Sequence, residues 1–271
     1  MTGSTPPPST RASLADDLRR LGLEPDDAVM VHGALSRVGP VVGGPDALVD
    51  ALLEVVGPGG TVLGYQDWEL GVDVWDADGR VLEDLRAHVP PFDPATARAA
   101  RAHGILASTI GTRPGVVRSG NPGASVAALG ARAGEFTADH NLVDGYGADS
   151  PFARLVDAGG RVAMIGAPLD TMTLLHHAEA LADVPGKRRI RIEYPMVTPS
   201  GVEWRWAEEF DTDAPVVDAF PDDFFARIVE DYLATGAGRS GRVGRAESVL
   251  VDAAGIVPFA VEWIEARAPR H

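Results

Sequence analysis

Two adjacent imidazoles and a carboxylate stand together in the stretch DTMTLLHHAEALAD, residues 170–183. Histidine exchanges a proton near neutral pH, and in a helix a carboxylate three residues on lies beside it. His176 with Glu179 is therefore a candidate base whose carboxylate orients the ring or stabilises it once protonated. Asp170 or Thr171 can cap the helix through a side-chain oxygen. Wound at about 100° per residue, Leu174, Leu175, Ala178, Leu181 and Ala182 form an apolar stripe, with His176 and Asp183 opposite and His177 and Glu179 at the flanks. A helix start disfavours imidazolium, so the ring sits where the proton-accepting form is favoured. A solvated polar face with an ordinary surface histidine fits the same pattern. Metal binding fits less well, because adjacent helical histidines diverge and no His-x-x-x-His spacing accompanies them. No metal is expected.

The elements that must position these groups begin with the apolar run RVAMIG, 161–166, which reads as a buried strand leading into the helix. Near the start of the chain, AVMVHGAL (28–35) reads as another buried strand, followed by the loop SRVGPVVGG (36–44). A helix opens at Pro45, where proline suits the first turn, and stops at the GPGG of 57–60. The strand TVLGY (61–65) follows, so the unit is βαβ with a parallel pair and a right-handed crossover. Glycines before a helix start make a candidate anion site, although a plain tight turn explains them equally and no phosphate-loop ending is present. Arg113 and Arg118 are cations that either meet phosphate or pair with nearby acids.

The remaining chain offers fewer landmarks. Residues 11–23 pattern as an opening amphipathic helix, and 66–102 as an acidic surface excursion in which Tyr65, Trp68 and Trp75 sit among carboxylates. Aromatic faces and carboxylates together suit a polyhydroxylated cation. Asp73, Asp76 and Asp78 only superficially resemble a calcium loop, since its closing glutamate is missing. Helices are expected at 94–104, from 105, at 152–158, 222–233 and 258–268, the last with Pro258 in its first turn. The segment up to Gly130 reads as helix or strand. Residues 187–195 and 201–206 form a hairpin whose end carries Glu208, Glu209 and Asp211.

The 271 residues are enough for one large α/β domain or two small ones. The first ten are expected to be a disordered lead-in and 11–271 the folded domain. No run of about 18 apolar residues exists, so no membrane helix is expected. With no cysteine there is neither a disulfide nor a thiol nucleophile, and a cytoplasmic protein is expected. A net charge of −15 repels phosphate backbones and favours cationic partners, so neither nucleic acid nor membrane is expected to bind.

Several segments resemble one family, the aminoglycoside 3-N-acetyltransferases (the antibiotic N-acetyltransferase family). They are VMVHGALSRVG with its GG, GPGGTVLGY, PPFDPATARA, RSGNPGASVAALG, DGYGADSPFARLV, IGAPLDTMTLLHHAEALA and FAVEWIEAR. The resemblance spans nearly the whole chain after residue 10 and is most specific from Gly166 to Glu179. It implies a single α/β domain with a mixed central sheet flanked by helices, unlike the histone-acetyltransferase fold. It implies acetyl transfer from acetyl-CoA, the donor co-substrate, to the 3-amino group of 2-deoxystreptamine drugs of gentamicin, kanamycin or neomycin type, giving resistance. The family's catalytic histidine falls on His176 and its acidic partner on Glu179. The coenzyme site falls on His32, Gly33, Ala34, Leu35, Ser36, Val41, Val42, Gly43, Gly44, Arg118 and Ser119. The drug site falls on Tyr65, Asp67, Trp68, Asp170, Glu208, Glu209 and Asp211. Where many relatives carry a serine after the strand histidine, this chain has Gly33 and Ala34, so backbone N–H groups would polarise the thioester carbonyl. Transfer on another small amine, or non-catalytic capture of cations, are the alternatives; a monomer or a homodimer is expected.

Overall fold

The structure is a computed structural model and describes residues 7–218 and 220–268. In chain order, α1 (Arg11–Leu21), β1 (Ala28–Gly33), the single turn α2 (Leu35–Val38), α3 (Gly44–Val56) and β2 (Thr61–Tyr65) make the first unit. Then come α4 (Gly104–Gly111), β3 (Val117–Arg118), β4 (Val126–Gly130), α5 (Ala133–Thr137), α6 (Pro151–Asp157), β5 (Arg161–Ile165) and α7 (Leu174–Leu181). The hairpin β6 (Arg189–Thr198) and β7 (Gly201–Phe210), α8 (Phe224–Ala234), β8 (Arg239–Val243), β9 (Ala246–Asp252) and α9 (Ala253–Arg267) complete it.

Seven strands form one mixed sheet in the order β3-β4-β2-β1-β5-β9-β8. The centre, β2-β1-β5, is parallel, with Met30 opposite Leu63 on one side and Val162 on the other; the outer pairings are antiparallel. Apolar residues of β1 alternate between two cores: Met30 packs with α7 and α9, Val29 and Val31 with α1, α3 and α4. Burial on both faces is why these strands read as unbroken apolar runs. The expected single α/β domain with a mixed, helix-flanked sheet is what the chain forms. No helix among the described residues is long and apolar enough to cross a membrane.

Several local expectations need correction. Of the ten-residue lead-in, 1–6 lie outside the described residues, whereas Ser9 pairs with Val41 and Thr10 caps α1 by accepting from Ser13 N–H. No helix spans 94–104. Asp93 captures the backbone of Ala95, Ala99 bridges to Trp68, and only Arg101–His103 make a 3₁₀ turn before Gly104 opens α4. Neither Asp170 nor Thr171 caps α7; they lie in a separate 3₁₀ turn, and Thr173 occupies the cap position without a side-chain bond. Leu181, assigned to the apolar stripe, is 49% exposed. Finally, α9 starts at Ala253 and carries Pro258 inside it. Proline has no N–H to give the carbonyl four residues back, that of Ala254, and Ala254 is exposed, so water can reach it.

The excursion after β2 folds back over the β6–β7 hairpin. Phe92 buries itself against Tyr194 and Met196, with Trp68 and Trp75 packed alongside, in a small core separate from the main ones. The Arg86 guanidinium forks onto Glu193 at 2.6 and 3.0 Å. At Gly79 (φ 73°) a Cβ would stand 1.8 Å from the Arg191 carbonyl oxygen, so only glycine lets this turn lie against β6.

Candidate active site

Where the excursion and hairpin meet the ends of β2 and the start of α7, they enclose a cleft of about 1230 Å³. Of the expected substrate residues, Tyr65, Asp67, Trp68, Asp170 and Glu209 line it together with His176. Glu69, Asp73, Asp76, Asp78 and Asp213 add to the lining, against two arginines, Arg189 and Arg191, whose register beside Glu208 puts their guanidinium groups on the far face of the hairpin. A concave surface so dominated by one sign concentrates cations.

His176 sits on the first turn of α7, with 21% of its side chain exposed, and its Nδ1 lies 2.7 Å from Glu179 Oε2. Glu179 is 2% exposed, and its other oxygen accepts from Val216 N–H at 3.2 Å. A carboxylate can only accept, so Nδ1 carries the hydrogen and Nε2 keeps the lone pair in the neutral ring. Nε2 has no protein partner among the described residues and the residue faces the cleft. Tyr146, Phe225 and Phe210 cage the ring at centroid distances of 5.1, 4.9 and 6.3 Å. The polar-face reading of His176 thus gives way to an oriented acceptor, half sunk in an aromatic wall.

Other expected site residues are engaged elsewhere. Strand alternation sends Ala207 and Glu209 into the cleft and Glu208 to the other face, where it pairs with Arg189 at 2.9 Å. Asp211 pairs with Arg188 and lines a separate cavity of about 270 Å³. Arg118 donates to the carbonyls of Gln66 and Ala97 and to Ser125 Oγ, and burial pushes its pKa down to about 10. Ser119 is fully buried, with its hydroxyl bonded to Val126 N–H and His140. These two are struts that tie the excursion and the 139–147 loop to the sheet edge, not groups free to hold phosphate. Arg113 pairs with Asp46 and Asp50, as its alternative reading had it.

The segments expected to hold the coenzyme lie outside the cleft lining. Burial pushes the pKa of His32, at the end of β1, down to about 4, and its Nε2 is buried without a partner among the described residues. Ala34 N–H bonds to the Ile165 carbonyl, so Gly33 and Ala34 bridge β1 to β5 just before Leu35 and Ser36 enter α2. Val41 and Val42 pair with Ser9. Gly43 and Gly44 take left-handed φ values of 87° and 61°, and α3 opens there without a side-chain cap. A Cβ on Gly44 would meet nothing within 4 Å. An uncapped thirteen-residue helix beginning in open space fits a diphosphate.

Three functional neighbours escaped the sequence reading: His103, Tyr146 and His140. His103 bonds to Asp67 inside the cleft and stands 4.7 Å from the Tyr65 ring. Tyr65 O–H donates to the Gly123 carbonyl at 2.9 Å, which leaves Tyr146 to donate to Tyr65 across 2.6 Å. Burial lifts both phenols well above their usual range, so both stay protonated. His140 is pushed down to about 4 by burial, with the Gly145 carbonyl acting in the opposite sense.

His32 and His140 carry a consequence for stability. An unfolded chain protonates both near the ordinary value of 6.5, the fold only near 4. Between those values the unfolded state binds more protons, so stability is full above about pH 6.5 and falls as pH drops toward 4, by up to about 3 kcal/mol per ring. The melting temperature is therefore expected to fall between pH 7.5 and pH 5, and less steeply in His140→Gln. Equal slopes in the two proteins would count against it.

A family model described as aminoglycoside 3-N-acetyltransferase matches residues 30–265. The chain belongs to the aminoglycoside 3-N-acetyltransferase family. It is 43% identical over 263 residues to aminoglycoside N(3)-acetyltransferase III of Pseudomonas aeruginosa, covering 96% of this chain and 95% of that protein. Over 268 residues it is also 43% identical to aminoglycoside N(3)-acetyltransferase VIII of Streptomyces fradiae, covering 96% and 93%. The fold matches a structure of AAC-IIIb in binary complex with CoASH, at TM-score 0.94 and 57% identity over 97% of this chain and 99% of that one. It also matches AAC-VIa bound to sisomicin, at TM-score 0.89 and 38% identity over 97% and 100%. Membership of this 3-N-acetyltransferase family makes the chain an acyltransferase and sets aside the non-catalytic binder.

Proposed function

We propose that this acetyltransferase moves acetyl from acetyl-CoA to the 3-amino group of a 2-deoxystreptamine aminoglycoside, with His176 as the base in a ternary complex. The observation that carries this reading is the Nδ1 of His176 held at 2.7 Å by buried Glu179, which leaves Nε2 as the acceptor in an acid-walled cleft. Acetyl-CoA supplies the activated acyl group. His176 Nε2 takes a proton from the substrate ammonium and frees the lone pair that forms the new C–N bond. That first proton passes from the imidazolium to solvent; after attack Nε2 takes the second N–H proton of the acylated nitrogen and gives it to the departing thiolate as the C–S bond breaks, with Glu179 stabilising the imidazolium each time. Val41, Val42, Gly43 and Gly44 with the start of α3, and His32, Gly33, Ala34, Leu35 and Ser36, are the proposed coenzyme seat, where Gly33 and Ala34 offer the thioester carbonyl no hydroxyl. Asp67, Asp170 and Glu209, with Tyr65 and Trp68, are the proposed drug wall. Purified protein given acetyl-CoA and gentamicin, kanamycin or neomycin is expected to release free thiol and a 3-N-acetylated product; no thiol with any of the three sinks the reading.

The wall makes a directional prediction. Asp170 has no ion-pair partner among the described residues, so its charge is available to a ligand. Asp170→Asn is expected to raise the drug's KM several-fold at low salt and less at high salt, leaving the KM for acetyl-CoA alone. Glu208→Gln, on the opposite face of β7, is expected to change neither. Steady-state kinetics at two salt concentrations decide both.

A further inference from the structure

Next to the proposed base stands a second imidazole that the transfer reaction does not use. His177 is 3% exposed, and its Nδ1 lies 2.6 Å from the Tyr146 carbonyl oxygen. His140, 8% exposed, places Nε2 2.7 Å from the Gly145 carbonyl oxygen. A carbonyl only accepts, so both nitrogens carry hydrogens, and two consecutive peptide carbonyls are each gripped by a buried imidazole. The other side of His140 completes the assignment. Ser119 Oγ already accepts from Val126 N–H, so its own hydrogen goes to His140 Nδ1 at 2.8 Å.

The gripped step leads to Tyr146. Its N–H donates to Glu209 at 3.1 Å, its hydroxyl pairs with Tyr65, and its ring lies stacked on Phe152 and 5.1 Å from the His176 ring. Every polar atom of Tyr146 therefore has a partner, and the face left over walls in His176. Because His177 follows His176 directly on α7, the same helix turn carries the acceptor and clamps the loop that cages it. We propose that His177 and His140 are positioning residues for acetyl transfer, acting through the Tyr146 ring to hold His176 in the rotamer that meets Glu179. Glu179 fixes one ring nitrogen, but a single hydrogen bond leaves rotation about its axis open; the Tyr146 wall closes that freedom. Small misplacements of a reacting group are costly in rate even when binding survives.

The proposal rests on His176 being the base, which wild-type turnover and His176→Ala test separately, so a failure here leaves that reading standing. His177→Ala is expected to lower kcat about tenfold, with KM for drug and acetyl-CoA within about twofold of wild type. His177→Asn, whose amide N–H can take the place of Nδ1–H, is expected to recover most of that loss. Tyr146→Leu keeps both carbonyls and both imidazoles and is expected to lower kcat by itself. In the double variant His177→Ala with Tyr146→Leu, kcat is expected to match Tyr146→Leu alone, because the two act in series. All are measured per folded enzyme, well below each variant's melting temperature. Multiplicative losses in the double variant, an unrescued His177→Asn, or an unchanged kcat in Tyr146→Leu would overturn the proposal; the last of these does so even where His177→Ala fails to fold.

Discussion

Replacing His176 by Ala is expected to cut kcat by about 10²–10⁴-fold, the range for removing a positioned general base, while drug and acetyl-CoA still bind. The expectation follows from what the side chain touches. Its bonded partner is Glu179, its packing partners are Tyr146, Phe225 and Phe210, and Nε2 has no hydrogen-bond partner among the described residues. Removing it leaves the carboxylates of the cleft in place, so ligand attraction survives and the proton acceptor does not. Calorimetric titration of the drug into His176→Ala, beside its turnover, separates the two. A variant with near wild-type kcat would remove His176 from the reaction, and one with lost affinity but unchanged kcat would make it a binding residue.

How much of this was legible in the chain depends on how local the cause is. The parallel strands β1, β2 and β5 announce themselves because both faces are buried and the residues run apolar without interruption. The βαβ start is marked by glycines at both ends of α3, and α6 by Ser150, whose hydroxyl accepts from Ala153 N–H just before Pro151. By contrast, β8 and β9 are an antiparallel pair at the sheet edge. Their alternation of Arg242 and Glu247 with Val243 and Ala246 is a signal of period two that went unread. At 94–104 local helix propensity loses to tertiary pairing: Trp68 takes the Ala99 backbone, and Arg118 takes the Ala97 carbonyl.

The pairing of His176 with Glu179 is legible because one helix turn contains both. The rest of the site is not, because distant segments converge on it. Asp67 and His103 meet across 36 residues, Tyr65 and Tyr146 across 81. Glu208 and Glu209 could have been told apart by strand parity once Ala207 was known to face the cleft, but nothing in the sequence fixes that register. Arg118 and Ser119 illustrate the opposite error: a guanidinium and a hydroxyl suited to phosphate are, in the fold, taken up by carbonyls, a serine, a backbone N–H and a histidine.

Glu179→Gln is expected to be nearly as damaging as losing His176, with kcat down about 10³-fold, although it changes volume hardly at all. The carboxylate accepts from two donors at once, His176 Nδ1–H at 2.7 Å and Val216 N–H at 3.2 Å. An amide has one accepting oxygen. With that oxygen on Val216, the NH₂ faces Nδ1, the ring must shift its hydrogen to Nε2, and the nitrogen that should take the substrate's proton no longer can. With the oxygen on His176, an NH₂ opposes the buried Val216 N–H, which strains the loop holding the carboxyl in place. The analogous Asp→Asn change in serine-protease triads costs about 10⁴ through the same wrong tautomer. Glu179→Ala removes both constraints and leaves the ring free to choose its tautomer, so it should retain more activity than Glu179→Gln despite the larger excision. Imidazole ¹⁵N shifts of His176 in the Gln variant report which nitrogen carries the hydrogen. A Gln variant more active than the Ala variant, with Nδ1 still protonated, would mean that Glu179 acts by charge alone and not by setting the tautomer.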